Sequence, residues 1–170
     1  MIKPNSKFGF TLIELLVVIS IIAILAGFGT ARYLTAERQV RDTQRKSDLN
    51  QYRIGLESYA GANNGTYPGY GTTAITRVAI SSICSALSPY MSATCLSDSR
   101  PHGACTTSDT SNPGRIYCYI DNGTATAGSA DYMVYGGLEA GGWWVICSNG
   151  KSGKVSTLPS SASPFTCAVP

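Results

Sequence analysis

The distribution of hydrophobic residues separates an apolar beginning from a mixed remainder. Residues 10–29 form a run of twenty in which Glu14 is the only charged side chain. As an α-helix, such a run is about 30 Å long, which matches the hydrocarbon core of a bilayer. A helix buried in a soluble core is seldom apolar on every side. The pattern therefore predicts a membrane-spanning helix.

Helical character continues beyond this run. Residues 31–60 contain no proline, and Gly55 is their only glycine. Acidic residues precede basic residues by four positions, an arrangement that favours a helix surface. The two pairs are Glu37–Arg41 and Asp42–Lys46. We expect this charged stretch to be solvated, with salt bridges between neighbouring molecules as the alternative.

An apolar stripe follows on the same predicted helix. Leu49, Tyr52, Leu56 and Tyr59 are spaced by three, four and three residues, so they share one helix face. Glycine and asparagine at 61–65, followed by a proline at 68, predict the end of the helix. The stripe is therefore expected to pack against the remaining chain as core.

The remaining chain reads as a small β-sheet with turns. Three segments are rich in aromatic and β-branched residues: 115–120, 132–135 and 143–147. Turns are predicted at 121–123, 136–137 and 149–150, and a short helix at 80–87, ended by Pro89. Trp143 and Trp144 should face opposite sides of a strand, one in the core and one exposed. The predicted fold class is α+β, a long N-terminal helix packed on a small antiparallel β-sheet head.

Cysteine usage indicates an oxidising compartment. All six cysteines follow the hydrophobic run, their number is even, and none forms a C-x-x-C pair, so disulfides are favoured over zinc. Six cysteines allow 15 pairings, and nearest-neighbour pairing is the simplest of them. If the cysteines pair, the C-terminal part lies outside the cytoplasm and the N-terminus inside. The cysteines are Cys84, Cys95, Cys105, Cys118, Cys147 and Cys167.

Charge and candidate chemistry argue against an enzyme or a nucleic-acid-binding protein. The net charge is only +3, and from residue 64 onward five basic residues balance five acidic ones. His102 is the only histidine, and it has no obvious catalytic partner in sequence. Asp121, Asn122 and Asp131 carry the oxygen ligands that calcium prefers, but they lack the spacing of a specific calcium loop. We expect no enzyme activity, no cofactor and no metal, and the Asn-Gly-Thr sequons at 64 and 122 are better explained as turns.

An acid inside an apolar run needs a partner. A charged residue at a membrane helix centre costs about 2.5 to 3.5 kcal/mol on insertion scales, and a disposable secretory signal offers nothing to offset it. Cleavage between Gly9 and Phe10 would create an α-amine at the helix start. Glu14 lies four residues on, one turn along the same face. The amine of Phe10, in the same chain or a neighbouring one, is therefore the expected partner of Glu14.

The string Lys7-Phe8-Gly9-Phe10-Thr11-Leu12-Ile13-Glu14-Leu15 resembles the class III signal of type IV pilins and type II secretion pseudopilins. The close resemblance covers about residues 7–68. It implies that a prepilin peptidase cuts after Gly9, that Phe10 becomes N-methylated, and that Glu14 guides docking onto a growing filament. It also implies the lollipop shape of the family and an inner-membrane assembly platform as a partner.

The resemblance divides the chain into four parts. These are a leader at 1–9, a transmembrane and filament-core helix at 10–30, its amphipathic continuation at 31–62, and a disulfide-containing head at 63–170. Many pilins carry a kinking proline near the top of the membrane segment, which is absent here. Gly27 and Gly29 are expected to melt the helix locally in a filament instead. A bond between Cys147 and Cys167 would resemble the C-terminal disulfide loop of many pilins.

The expected function is that of a structural subunit of a type IV pilus, serving adhesion, twitching motility or DNA uptake. Before assembly it would cross the cytoplasmic membrane once, with its N-terminus inside, and afterwards it would form a surface homopolymer with identical or related subunits. A pseudopilin of a type II secretion system is the first alternative. A signal-anchored extracellular binding protein that never polymerises is the second.

Overall fold

The computed structural model describes residues 9–70, 76–91, 95–98, 105, 116–121 and 128–158. Within these ranges the side chains of residues 28–32, 34 and 76 are left out of the description. The chain divides into two compact units, Met1–Arg38 and Gln39–Pro170, and the first helix contributes residues to both. The fold is α+β, as predicted.

Helix α1 runs over Leu12–Ala62 without interruption. It ends where the sequence predicts, because Asn64 and Gly65 adopt left-handed backbone angles (φ 55° and 76°) that a helix cannot continue. The N–H of Gly65 donates to the carbonyl of Ala60 at 2.8 Å, closing the last turn. The stripe on α1 is confirmed as core: Leu49, Tyr52 and Leu56 are fully buried, and Tyr59 packs against them partly buried.

The sheet has five antiparallel strands in sequential order. The three predicted strands are its centre, although the first of them begins at Cys118 and not at residue 115. The outer strands were not predicted. Both are only four residues long, and the last is largely polar with alternate residues exposed. The strands are β1 (Thr76–Ala79), β2 (Cys118–Asp121), β3 (Tyr132–Gly137), β4 (Trp143–Cys147) and β5 (Ser152–Val155).

Three short helical segments follow β1. They begin with a 3₁₀ turn over Ile80–Ile83, continue as the short helix α2 over Cys84–Leu87, and end with a second 3₁₀ turn over Ser88–Tyr90. The predicted helix at 80–87 is therefore present in irregular form. The α-helix ends at Leu87, two residues before Pro89 as predicted, and Pro89 itself lies in the first turn of the second 3₁₀ segment, where proline is tolerated.

Residues on the two faces of the sheet form separate apolar clusters. Tyr119, Val134 and Ile146 are register partners on one face and pack with the stripe of α1. The opposite face carries a second buried cluster that includes Met133 and Val145. Strand β3 is buried at all six positions because both of its faces are covered.

Two predictions about the β3–β4 connection are wrong. Gly136 and its neighbour at 137 belong to β3, and the turn follows at residues 138–142. A Cβ at Gly136 would lie 3.1 Å from the ring of Tyr117 and 3.4 Å from Leu49, so glycine here leaves room for the core. Neither tryptophan is exposed. Trp143 is buried in the second cluster, on the sheet face opposite α1. Trp144 is half-buried, and the ammonium of Lys46 lies 4.6 Å from the centre of its ring.

The expectation that the charged stretch of α1 is solvated is wrong at its centre. Arg45 is 2% exposed and binds three carboxylates, those of Asp42, Asp98 and Glu139. Asp42 does not form the predicted ion pair with Lys46. It accepts hydrogen bonds from Arg45 and from backbone N–H groups of the turn after β3. Arg41, Asp42 and Arg45 therefore point into the head, where segments distant in sequence supply most of their partners.

Two disulfides are described, and both are nearest-neighbour pairs. Cys84 is bonded to Cys95 and Cys105 to Cys118, with Cα atoms 5.8 and 5.7 Å apart. Cys147 is not a free thiol. Its expected partner, Cys167, lies outside the described residues, so that pair stays a prediction.

Candidate functional site

The bond between Gly9 and Phe10 precedes α1 in a segment without regular secondary structure. Both residues are exposed, and the Phe10 side chain is 87% accessible. A Cβ built on Gly9 would meet nothing within 4 Å, and the residue does not adopt a left-handed backbone angle. Neither packing nor backbone conformation therefore requires glycine at position 9. An exposed bond in a non-helical segment is also the kind of site that a peptidase can reach.

Glu14 closes the first turn of α1 together with Thr11. The N–H and the hydroxyl of Thr11 both donate to Oε2 of Glu14, at 2.9 and 2.7 Å. The N–H of Glu14 donates in return to the Thr11 hydroxyl oxygen at 3.3 Å. This reciprocal arrangement is a capping box, which satisfies backbone donors that no helix carbonyl can reach.

The capping box leaves part of the Glu14 carboxylate available. Among the residues that the structure describes, Oε1 of Glu14 has no hydrogen-bond partner. The carboxylate also lies at the positive end of the helix dipole, where a negative charge is favoured. A cation near the helix start, such as an α-amine, could therefore bind Oε1 while Oε2 stays in the cap.

Sequence reasoning missed Thr11. The signal was present, because Thr11-Leu12-Ile13-Glu14 has the spacing of a capping box ahead of an apolar run. The partner inferred from sequence, an α-amine at Phe10, is absent from the chain as described, because a peptide bond joins Phe10 to Gly9. Thr11 is the partner that the structure shows for Glu14.

The apolar residues at the start of α1 are exposed. Their accessible fractions range from 48% at Val18 to 83% at Leu12, and the run includes isoleucines, leucines and valines on every side of the helix. Ser20, a polar residue within the run, donates to the carbonyl of Leu16 at 2.8 Å and so needs no outside partner. Exposed apolar surface of this extent marks a site of contact with lipid or with another protein.

Within the described part of the chain, no helix combines the length and the apolar character needed to cross a bilayer.

Other candidate residues contribute nothing further to this site. Gly27 lies within continuous α-helix, and so does the backbone of Gly29, so the predicted melting in a filament stays a prediction. His102 and Asn122 lie outside the described residues. In the ranges that are described, no group of three or more His, Cys, Asp or Glu side chains is placed to hold a metal ion.

Comparison with protein families identifies the N-terminal segment. Residues 4–30 match the model of the prokaryotic N-terminal methylation motif. This motif is the class III signal of type IV pilins and pseudopilins, and here it precedes an α+β head with disulfides. The chain therefore carries the processing signal of the type IV pilin and pseudopilin class. No curated protein and no solved structure matches it.

Proposed function

We propose that this chain is a structural subunit of a type IV pilus, processed between Gly9 and Phe10 and polymerised through its N-terminal helix. The observation that carries the proposal is the methylation motif at residues 4–30, which spans the exposed Gly9–Phe10 bond and Glu14. The role is structural and not enzymatic. Adhesion, twitching motility and DNA uptake are the functions that such a filament would serve.

The role of Gly9 in processing is supported by the lack of any need for glycine in the fold. A side chain at position 9 would be accommodated without contact. Recognition by another protein therefore explains the glycine. In our proposal this protein is a prepilin peptidase that removes the leader at 1–9. Phe10 then becomes the N-methylated terminus of the mature subunit.

The role of Glu14 in assembly is supported by its half-satisfied carboxylate. Oε2 is held by Thr11, while Oε1 is available at the start of the helix. The free amine of Phe10 in the same or a neighbouring subunit is the cation that cleavage supplies. An unpaired carboxylate or amine is very costly in an apolar filament core, so pairing is favoured there over leaving either charge alone.

The membrane supplies the environment of the helix before assembly. We propose that residues 10–30 anchor the subunit in the cytoplasmic membrane, with the N-terminus inside and the head outside. Support comes from the exposed apolar side chains of α1 and from the disulfides of the head, which form in an oxidising compartment. An assembly platform in that membrane would transfer the helix from lipid into the filament core formed by residues 10–30 of other subunits.

Substitution of Glu14 tests the assembly role. We expect Glu14→Ala and Glu14→Val subunits to be cut after Gly9 and to stay in the membrane, with at least a tenfold loss from sheared filaments. Glu37→Gln, which removes an acid from the same helix outside the motif, is the matched control and should assemble. Normal amounts of Glu14→Ala in filaments would show that Glu14 has no assembly role.

The location of filaments separates the two members of the class. A pilus subunit should be abundant in material sheared from the cell surface. A pseudopilin should be absent from sheared pili, and its deletion should block secretion of folded proteins.

A further inference from the structure

Lys46, Arg53 and Lys154 differ from the other cations of α1 and the sheet in having no acidic partner. Arg41 and Arg45 are paired with carboxylates of distant segments. In the part of the chain that the structure describes, no carboxylate lies within ion-pair distance of the three other side chains. Their charge is therefore available to a molecule outside the chain.

The three cations lie on one surface, where α1 meets the hairpin of β4 and β5. The ammonium of Lys46 lies 4.6 Å from the ring centre of Trp144 in β4. Lys154 in β5 is the register partner of Trp144, so both side chains share one face of the sheet. Near the turn of the hairpin, a Cβ on Gly150 would lie 3.7 Å from the guanidinium of Arg53. Contacts with α1 thus bring the cations together from both ends of the hairpin.

Exposed neutral side chains lie between these cations. Asn50 shares a helix face with Lys46 and Arg53, which are seven residues and therefore about 10 Å apart along α1. Ser152 is two residues from Lys154 on the same face of β5. The surface thus alternates widely spaced charges with hydrogen-bonding groups. We call it the hairpin face, and its residues are Lys46, Asn50, Arg53, Trp144, Ser152 and Lys154.

Neighbouring acids do not neutralise the hairpin face. Residues 143–155 contain no aspartate or glutamate. Glu57 lies one turn beyond Arg53 on α1, but its two carboxylate oxygens accept hydrogen bonds from Tyr67 and Tyr132 at 3.0 and 2.9 Å. The uncompensated cations give this surface a positive potential, which attracts anions.

We propose that the hairpin face binds an acidic polysaccharide whose carboxylates are separated by hydroxyl-bearing sugars. Its cations pair with the carboxylates, and Asn50 and Ser152 hydrogen-bond to the hydroxyl groups between them. Duplex DNA fits this surface less well, because its phosphates are about 3.4 Å apart along each strand, much closer than the cations of α1.

This inference assigns a ligand class to the adhesive role of the proposed function, and it rests on that function for the role alone. Binding is a property of the single subunit and is measured without filaments. Failure of the subunit to bind would leave the assignment to a pilus intact. Failure to assemble would likewise leave the binding result intact.

The test measures binding of hyaluronate, which carries a carboxylate on every second sugar, to the full-length chain in non-ionic detergent. Biolayer interferometry gives the dissociation constant. Lys46→Gln, Arg53→Gln and Lys154→Gln should each raise it about fivefold, which corresponds to the loss of one exposed ion pair. Higher salt should also weaken binding, and uncharged dextran should not bind.

Arg38→Gln is the matched control, because it removes an exposed arginine from the same helix outside the hairpin face. It should change the dissociation constant by less than about twofold. Absence of hyaluronate binding, equal binding of dextran, or equal effects of Arg38→Gln and the three other substitutions would overturn the proposal. Tighter binding of duplex DNA through the same three cations would overturn the choice of a polysaccharide. The comparison of hyaluronate with dextran uses the wild type and so does not depend on the folding of any variant.

Discussion

A helix on a protein surface normally buries its apolar side chains and exposes its charged ones. Each half of α1 departs from this pattern, the first through its apolar residues and the second through its charged residues. In the first half, residues 12–25 expose apolar side chains on every side. In the second half, Asp42, Arg45 and Asp48 are turned inward and buried, while most of the outward positions from 39 to 62 are uncharged. The first half therefore presents an apolar surface for contact with lipid or with another protein. The second half satisfies its inward-facing charges within the head.

This difference shows that the charge pattern of a helix does not by itself reveal which side is solvated. Arg45 is buried because its partners come from segments 53 and 94 residues away in sequence. Burial by itself would lower the pKa of the Arg45 guanidinium, but the carboxylates of Asp98, Glu139 and Asp42 outweigh burial and raise it. Substituting Arg45 or one of its carboxylate partners should change the stability much more than substituting an exposed charge on the same helix.

The largest effect is expected for Arg45→Met. Methionine fills a similar volume but leaves Asp42, Asp98 and Glu139 without their shared cation, which should lower the free energy of unfolding by about 3–5 kcal/mol. Arg38→Met removes an exposed arginine from the same helix and should change it by less than about 0.5 kcal/mol. Denaturant unfolding of the full chain in detergent, followed by tryptophan fluorescence, measures both. Equal changes in the free energy of unfolding for the two substitutions would contradict the burial of Arg45 among its carboxylate partners.

A smaller effect is expected on acidification. Hydrogen bonds from Arg41, with those from Arg45, lower the pKa of Glu139 to about 2 from the usual value of 4.5. Because the folded-state pKa is depressed, the stabilisation is complete above about pH 4.5 and is lost as the pH falls towards 2. The shift corresponds to at most about 3 kcal/mol, and solvent screening at the turn reduces this to about 1–2 kcal/mol.

Glu139→Gln tests this pH dependence. The variant should be less stable than the wild type at pH 6 and approach it at pH 2, because glutamine does not titrate. Unfolding midpoints measured across this range give the comparison. A constant difference between the two proteins from pH 6 to pH 2 would show that ionisation of Glu139 is not the cause.

The smallest effect is expected at Gly55, in the inward-facing half. Glycine in a helix normally costs about 1 kcal/mol relative to alanine, so Gly→Ala should stabilise. A Cβ at Gly55, however, would lie 2.7 Å from Cγ of Met91, and overpacking of this kind costs about 1–3 kcal/mol. Gly55→Ala should therefore lower the stability by about 1 kcal/mol.

Gly61 on the same helix provides the control for Gly55. A Cβ there meets nothing within 4 Å, so Gly61→Ala should raise the stability by about 0.5–1 kcal/mol. The two substitutions should thus have opposite signs in the same unfolding experiment. Stabilisation by both would mean that Met91 moves away from α1 without cost.

The features that the sequence predicted correctly are local ones. The long helix, its end near residue 62 and the stripe from Leu49 to Leu56 follow from residue spacing and from glycine and asparagine at the helix end. The three central strands follow from aromatic and β-branched residues. Nearest-neighbour pairing also gave the two described disulfides, each closing a short separation of 11 or 13 residues.

The features that could not be predicted depend on distant partners. Strands β1 and β5 are short and have little hydrophobic pattern of their own, and pairing with β2 and β4 places them in the sheet. The inward orientation of Arg45 depends on Asp98 and Glu139, which no local spacing reveals. At the candidate site, Gly9, Phe10 and Glu14 were identified from the motif. Thr11 was missed although its capping spacing was visible.

The central claim is that the Gly9–Phe10 bond is cut to convert a membrane anchor into a polymerising subunit. Mass spectrometry of the mature N-terminus, on subunits recovered from sheared filaments and from membranes, tests this most directly. We predict a chain that begins at Phe10 and carries one methyl group on its α-amine. A chain that begins at Met1, or one cut near residue 31, would contradict the claim.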